Sequence, residues 1–266
     1  MRRRGFLMLQ FQFQFHSCSS AIASLRSSAS MATSSAVQDQ KKVLRSEIRK
    51  ALKALSPAQR SKEDFEIQST ILSSSWFKSS HRLCAYISCP ALREVDTSTI
   101  LSQLLTKPHS EHQVEIEKEL YVPRVEDKNS NMRMFKITTM DDLVPNSMNI
   151  LEPSPLDDKG NQREDPLSFV KFLKIVMFYY YVGVAFDKQG RRLGRGGGYY
   201  DVLLKKYQDL ALEKKWNKPL LVALAYSVQI KEEGIIPVTP TDMPIDAIVS
   251  SDGVIPISLL AKEKMS

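Results

Sequence analysis

Cysteine is scarce in this chain, with only Cys18, Cys84 and Cys89 in 266 residues. Cys84 and Cys89 lie five apart on what reads as one extended segment. Side chains alternate there, so the pair faces opposite sides and does not easily close a bridge. That argues against a disulfide framework and for reduced thiols inside a compartment. Histidine is equally sparse, at four, and no His/Cys spacing resembles a zinc site. No apolar run approaches the roughly 20 residues that a membrane helix needs. The two densest runs, 6–15 and 169–182, are short and interrupted by Gln or by Lys171 and Lys174. Acid is missing altogether from residues 1–38, which hold Arg2, Arg3, Arg4 and Arg26. Setting those four aside from the 37 Lys and Arg leaves 33 basic against 30 acidic residues. The body of the chain is therefore only slightly cationic. A nucleic-acid footprint is not indicated, whereas a small anionic substrate suits this balance. No internal repeat is present.

The acid-free start, rich in Arg and Ser, has the composition of an organelle transit peptide. A basic end followed by Phe6–Phe15 also has the format of a secretory signal, but the alternating glutamines weaken that reading. Mitochondrial targeting is expected, with the plastid as the alternative. Met31, followed by Ala-Thr-Ser-Ser, offers a second start that would give an unaddressed, cytosolic form. The expected division is a disordered leader over 1–38, one folded domain over 39–255 and a short tail over 256–266.

Periodicity supplies the elements. Leu44, Ile48, Leu52 and Leu55 recur at helical spacing from Lys41 onward, and Lys41, Lys42, Arg45, Arg49, Lys50 and Lys53 fill the other face. Ser56-Pro57-Ala58-Gln59 has the form of a capping box opening a helix over 57–75. Leu83 to Ser88 reads as a buried strand, and Asp96 or Thr97 caps a helix through Leu105. Strands are expected over Glu119 to Val125 and Met132 to Ile137, with the turn-prone Glu126-Asp127-Lys128-Asn129 after the first. Residues 145–168 read as a long loop. The apolar run Phe169 to Val182 follows, then a helix from Tyr199 to Leu210 and strands over Leu220 to Tyr226 and Ala247 to Ser250. Alternating strands and helices predict an α/β layered domain.

The glycines are few but concentrated. Gly194, Gly196, Gly197 and Gly198 occupy four of five positions, directly before the helix at Tyr199. Such a loop leaves the backbone open to close approach, and the helix start behind it attracts anions. Arg191, Arg192 and Arg195 add forked cations suited to phosphate. This is neither a Walker loop, lacking Gly-Lys-Ser/Thr, nor the dinucleotide fingerprint, because Tyr199 stands where the third glycine belongs. Taken singly, Lys41 and Arg45 fit a solvated helix face, Glu94 a surface carboxylate, Asp201 a helix-dipole partner and Asp242 a turn residue.

Taken in order, these pieces resemble the 5-formyltetrahydrofolate cyclo-ligase family. The resemblance rests on Phe186-Asp187 and on Arg192-Leu193-Gly194-Arg195-Gly196-Gly197-Gly198-Tyr199-Tyr200-Asp201. It is supported by Lys41-Lys42-Val43-Leu44-Arg45, Glu94-Val95-Asp96-Thr97, Tyr121-Val122-Pro123-Arg124, Ala223 to Gln229, Pro237, Asp242 and Asp246, and covers roughly residues 41–145 and 183–252. The resemblance implies a three-layer α/β/α domain with a mainly parallel or mixed sheet, similar to the sugar-phosphate-isomerase and CoA-transferase-like superfold. It implies closure of 5-formyltetrahydrofolate, with or without a polyglutamate tail, to 5,10-methenyltetrahydrofolate, with ATP and Mg2+. The oligomeric state is not legible in the sequence, and a monomer is the expectation. ATP would lie against Lys41, Lys42, Arg45, Arg192, Leu193, Gly194, Arg195, Gly196, Gly197, Gly198 and Tyr200. The folate would meet Arg45, Glu94, Arg195, the three glycines Gly196, Gly197 and Gly198, and Tyr199, with Arg195 and Tyr199 at the reacting centre. Asp201 and Asp242 would hold the metal.

One stretch departs from the pattern. The family strand before the loop is Leu/Val-rich and ends in Pro-Gly, whereas here Phe169 to Tyr181 is aromatic and Val182-Gly183 replaces Pro-Gly. Residues 163–182 therefore motivate a second reading, a catalytically impaired folate- or nucleotide-binding homologue; an unrelated kinase-like phosphotransferase is the third. Bulky residues in a strand packed on both faces are expected to cost about 1–3 kcal/mol per misfit and to reduce solubility and activity.

The leader reading has a direct check. Amino-terminal sequencing of the protein from isolated organelles is expected to give a start between Ser24 and Lys41, and recovery of an intact Met1 contradicts it.

Overall fold

The computed structural model describes residues 18–106, 118–167, 177–181 and 183–265. Arg2 to Arg4, the Phe6–Phe15 run, residues 169–176 and Val182 lie outside the described residues.

Helix α1 (Cys18–Ala54) starts well upstream of Lys41, within the stretch expected to be disordered; no Gly or Pro interrupts it between those ends. Its last turns bury Leu44, Ile48 and Leu52 at four-residue spacing, with Leu55 just beyond. Helix α2 (Pro57–Ser73) begins on Ser56, whose hydroxyl accepts the Gln59 N–H at 3.1 Å. The Gln59 side chain turns instead to Glu63, at 3.2 Å, so only half of the expected capping box forms. A single turn, α3 (Ser75–Lys78), buries Trp76 and Phe77.

The main sheet has seven strands. In chain order these are β1 (Arg82–Cys84), β2 (Glu119–Val125), β3 (Met132–Ile137), β6 (Met177–Tyr181), β9 (Leu220–Leu224), β11 (Ala247–Ser250) and β12 (Gly253–Pro256), lying in the order β12-β11-β9-β6-β1-β2-β3. The five inner strands run parallel, and β12 and β3 close the edges antiparallel. Period-two alternation divides the sheet between two helical layers. Leu83, Leu120, Val122, Val222, Leu224 and Val249 pack with α1, α2, α4 (Ser98–Leu105) and α6 (Leu259–Lys264). Cys84, Tyr121, Leu221, Ala223 and Ile248 pack on the opposite side, against Leu203, Leu204, Tyr207 and Ala211 of α5 (Tyr199–Lys214). The expected α/β fold, helices flanking a mainly parallel sheet, is the one observed.

Several boundaries differ from expectation for local reasons. β1 stops at Cys84, so Cys89 lies past the strand. Thr97 does not cap α4, because its hydroxyl donates to the Tyr86 carbonyl at 3.1 Å; the Asp96 carboxylate takes the Ser98 N–H instead, also at 3.1 Å. The expected long loop over 145–168 contains structure, since β4 (Leu143–Pro145) pairs with β5 (Leu151–Pro153). A three-stranded sheet of β10 (Ile230–Lys231), β7 (Ala185–Asp187) and β8 (Arg192–Leu193) carries the glycine loop. The expected tail is a docked helix, α6, with Ala261 fully buried and Ser258 capping its start.

The divergent run supplies the centre of the sheet. β6 pairs in parallel with β1 on one side and β9 on the other, with Phe178 in register with both Leu83 and Leu220. Replacing Phe169 to Val182 by an alternating Leu/Val strand ending in Pro-Gly is expected to raise soluble yield, melting temperature and activity together. Full activity and normal melting of the unaltered chain would show the segment to be harmless.

Candidate active site

The glycine loop is anchored at its root by a tight hairpin. The Asp187 carboxylate accepts the Gln189 and Arg191 N–H groups at 3.0 and 2.9 Å, which folds residues 187–191 between β7 and β8. Gly190 turns there with φ +81°, and a Cβ on it would stand 2.6 Å from the Ile245 carbonyl oxygen. The Ile245 N–H in turn donates to the Gly190 carbonyl at 2.9 Å. Close backbone approach, as well as conformation, demands glycine at this position. Further on, Gly198 opens α5 with φ +68° and supplies no side-chain cap. The helix start, with its partial positive charge, therefore faces the loop with no side chain capping it.

Distant elements converge on this loop. From α1, the Arg45 Nε donates to the Gly194 carbonyl at 2.8 Å, and the Lys41 Nζ to Asp242 at 2.5 Å. Arg192 is buried and pairs with Asp201 at 2.5 Å, and the Met243 N–H reaches the same Asp201 oxygen at 3.1 Å. The Arg195 Nη2 donates to the Leu92 carbonyl and to Glu94, both at 2.9 Å. Glu94 also takes the Cys89 N–H at 2.9 Å. Nearly all the sequence-expected residues thus form one connected set. Lys42 stands exposed beside it, and Leu193 is a core residue beneath it.

Burial shapes the charges. Desolvation raises the Glu94 carboxyl above its ordinary range, opposed by Arg195 and the Cys89 amide. Burial works against the Asp242 charge too, but Lys41 and the Thr239 amide and hydroxyl hold its carboxyl below the usual range. Desolvation first, then Arg49, lowers Arg45. The Tyr200 phenol is pushed up by desolvation and next by the Glu94 charge.

Two site contacts have no counterpart in the sequence expectations. The Ser130 hydroxyl donates to the Gly197 carbonyl at 2.5 Å, and the Tyr199 hydroxyl to the Asp127 carbonyl at 3.1 Å. The turn between β2 and β3 therefore braces the loop. Its turn propensity is legible, but nothing local in the sequence links it to glycines some 67 residues away.

A glycine loop at a helix start, with cations around it in a three-layer α/β fold, is suited to an anion. Comparison with known proteins narrows this. The profile of the 5-formyltetrahydrofolate cyclo-ligase family matches residues 37–251. The chain is 58% identical to the mitochondrial 5-formyltetrahydrofolate cyclo-ligase of Arabidopsis thaliana over 226 residues, 85% of this chain and 79% of that one. It is 30% identical to 5-formyltetrahydrofolate cyclo-ligase of Mus musculus, over 81% of this chain and 96% of that one. The NMR structure of Aquifex aeolicus 5,10-methenyltetrahydrofolate synthetase superimposes with a TM-score of 0.60 at 28% identity, covering 82% of this chain and 92% of that one. This chain belongs to the 5-formyltetrahydrofolate cyclo-ligase family.

The tight approach at Gly190 can be separated from its backbone angle by a matched pair. Gly160 has a similar φ, +79°, but no atom lies within 4 Å of where its Cβ would stand. Gly160→Ala is expected to cost about 1–3 kcal/mol, the strain of the left-handed backbone. Gly190→Ala is expected to cost clearly more in chemical unfolding, because the Ile245 carbonyl must also move. Equal losses would remove the close-approach argument.

Proposed function

We propose that this enzyme closes 5-formyltetrahydrofolate to 5,10-methenyltetrahydrofolate at the expense of ATP, releasing ADP and phosphate. The observation that carries this reading is the connected set binding α1, the glycine loop, Glu94 and the Asp242 turn together. It gathers cations for phosphate and a buried carboxylate for a pterin in one place. ATP passes its γ-phosphoryl group to the formyl oxygen, and the bond to ADP breaks. N10 then attacks the activated carbon and gives up its proton, and the former formyl oxygen leaves as part of phosphate. Chemistry of this kind depends on positioning and charge neutralisation.

The chain's residues divide that work. Lys41, Arg45 and Arg192 neutralise phosphates, and Lys42 adds charge at their approach. The amides of Gly194, Gly196, Gly197 and Gly198 leave room for the phosphates, and Leu193 and Tyr200 support the loop. Arg195 addresses the transferring group; its Nε is buried and has no hydrogen-bond partner among the described residues, a donor waiting for an acceptor. Glu94 accepts hydrogen bonds from the pterin, and Tyr199 lies beside the formyl group.

Mg2+ fits Asp201 and Asp242. Among the described residues no three His, Cys, Asp or Glu side chains cluster as a ready metal site. A magnesium ion shared with phosphates needs only one or two carboxylates. Asp201 engages Arg192 and Met243 through Oδ1, and Asp242 engages Lys41 and Thr239 through Oδ2, so each has a second oxygen to offer. The ion would supply neutralisation of phosphate charge.

The mitochondrial form of the Arabidopsis relative supports a mitochondrial address here; residues 1–38 as leader and 39–255 as the catalytic domain complete the proposal.

Growth of methenyl absorbance with ATP and 5-formyltetrahydrofolate tests the reaction. Binding of folate without turnover would favour the impaired homologue, and ATP use on another acceptor the phosphotransferase. Asp201→Asn is expected to lose most activity, with a higher Mg2+ requirement, and to lower the melting temperature because buried Arg192 loses its charge partner. Arg195→Lys is expected to lower the rate although charge is kept, because the two-pronged grip is gone. Unchanged turnover of Asp201→Asn at limiting Mg2+ rejects the ligand role. Loss of folate affinity alone in Arg195→Lys rejects the phosphoryl role.

A further inference from the structure

The turn that carries Glu94 is gripped along its main chain at three consecutive residues, by side chains from three other places in the fold. The Tyr226 hydroxyl, beyond the end of β9, lies 3.0 Å from the Glu94 carbonyl oxygen. The Tyr86 hydroxyl, beyond the end of β1, donates to the Val95 carbonyl at 2.8 Å. The Asp64 carboxylate of α2 takes the Asp96 N–H at 2.9 Å. Asp64 and Tyr226 are also joined directly, hydroxyl to carboxylate, at 2.7 Å. Both tyrosines are buried, so their hydroxyl groups have fixed partners rather than solvent.

The corner holding Tyr226 is itself fixed. Glu63 takes the Ser227 N–H at 2.7 Å and the Ser227 hydroxyl at 2.9 Å. Gln229 accepts the Tyr226 N–H and donates to the Gly183 carbonyl, both at 2.9 Å, where the chain enters β7 and the glycine loop. One corner thus touches the Glu94 turn on one side and the root of the loop on the other. Glu94 is a buried carboxylate held 2.9 Å from Arg195, and a displacement of about 1 Å is enough to spoil a contact of this kind.

We infer that Asp64 and Tyr226 are positioning residues, which set the Glu94 carboxylate in place opposite Arg195 and thereby fix the affinity for the folate. The inference rests on the assignment of Glu94 to the pterin above. It separates two effects that a general loss of stability would not. Asp64 and Tyr226 govern the folate side of the site, so ATP affinity stays as it is.

The experiment is steady-state kinetics on the full chain with each substrate varied, for Tyr226→Phe, Asp64→Ala, Asp64→Asn and the double variant Asp64→Ala/Tyr226→Phe, with melting temperatures alongside. Tyr226→Phe and Asp64→Ala are expected to raise the KM for 5-formyltetrahydrofolate about tenfold, the scale of one buried hydrogen bond, while the KM for ATP changes by less than about twofold. Asp64→Asn keeps an acceptor oxygen for Tyr226 and Asp96 and is expected to recover most of that affinity. The double variant is expected to be no worse than the worse single one, since both remove one strut. Should Asp64→Ala fail to fold, Tyr226→Phe and Asp64→Asn decide the matter. A folded Tyr226→Phe with unchanged folate KM overturns the inference while leaving the reaction assignment intact, as does a parallel rise in both KM values that follows the loss of melting temperature. An unaltered chain that does not turn over the folate overturns the reaction assignment and this inference with it.

Discussion

The site depends on a buried arginine. Arg192 has a side chain only 4% exposed, and its charge is matched by Asp201 in the first turn of α5. A guanidinium out of water is costly unless paired, so β8 and α5 must meet in one relative placement. That placement fixes the glycine loop between them. The Met243 amide on the same Asp201 oxygen then draws in the turn containing Asp242, and Asp242 draws in Lys41 from the first helix. Residues far apart in sequence are thereby tied into a single charged chain, each link requiring the next.

These links have a double character. Lys41 and Arg192 are phosphate binders in the proposed reaction, yet without phosphate each neutralises a carboxylate. The paired state prevents four buried or half-buried charges from repelling or stranding one another. A polyphosphate with its metal offers the same partners in exchanged form: anion to cation, cation to carboxylate. The site is therefore preorganised at little electrostatic cost, and the exposed Lys42 stands apart from this arrangement.

Legibility in the sequence follows the range of the interactions. The α1 stripe Leu44, Ile48, Leu52 and Leu55, and the strands Glu119–Val125 and Met132–Ile137, are readable because periodicity is local and burial enforces it. The glycine loop is readable by its composition, and its meaning by family resemblance. Short strands such as β7, β8 and β10 carry too few residues for any period to show. Capping at α4 goes to Asp96 because Thr97 is claimed by Tyr86, a tertiary contact that no local rule contains. The same holds for Ser130 on Gly197, and for the Tyr226 corner, where partners lie up to 164 residues away.

The order of the strands also governs when the molecule can form. β6 lies between β1 and β9, and its register partner Leu83 lies far upstream of Phe178 in the chain. The centre of the sheet thus closes late in synthesis, once the chain has been made through β9. Until β6 is made, β1 lacks its second parallel neighbour, and the β1-β2-β3 set has apolar faces without their full layers. Long-range parallel pairing of this kind is intrinsically slow and leaves partly built sheets exposed. Were the chain imported as proposed above, late closure would have a use: a chain that has not yet locked its central strand could still be threaded through a membrane.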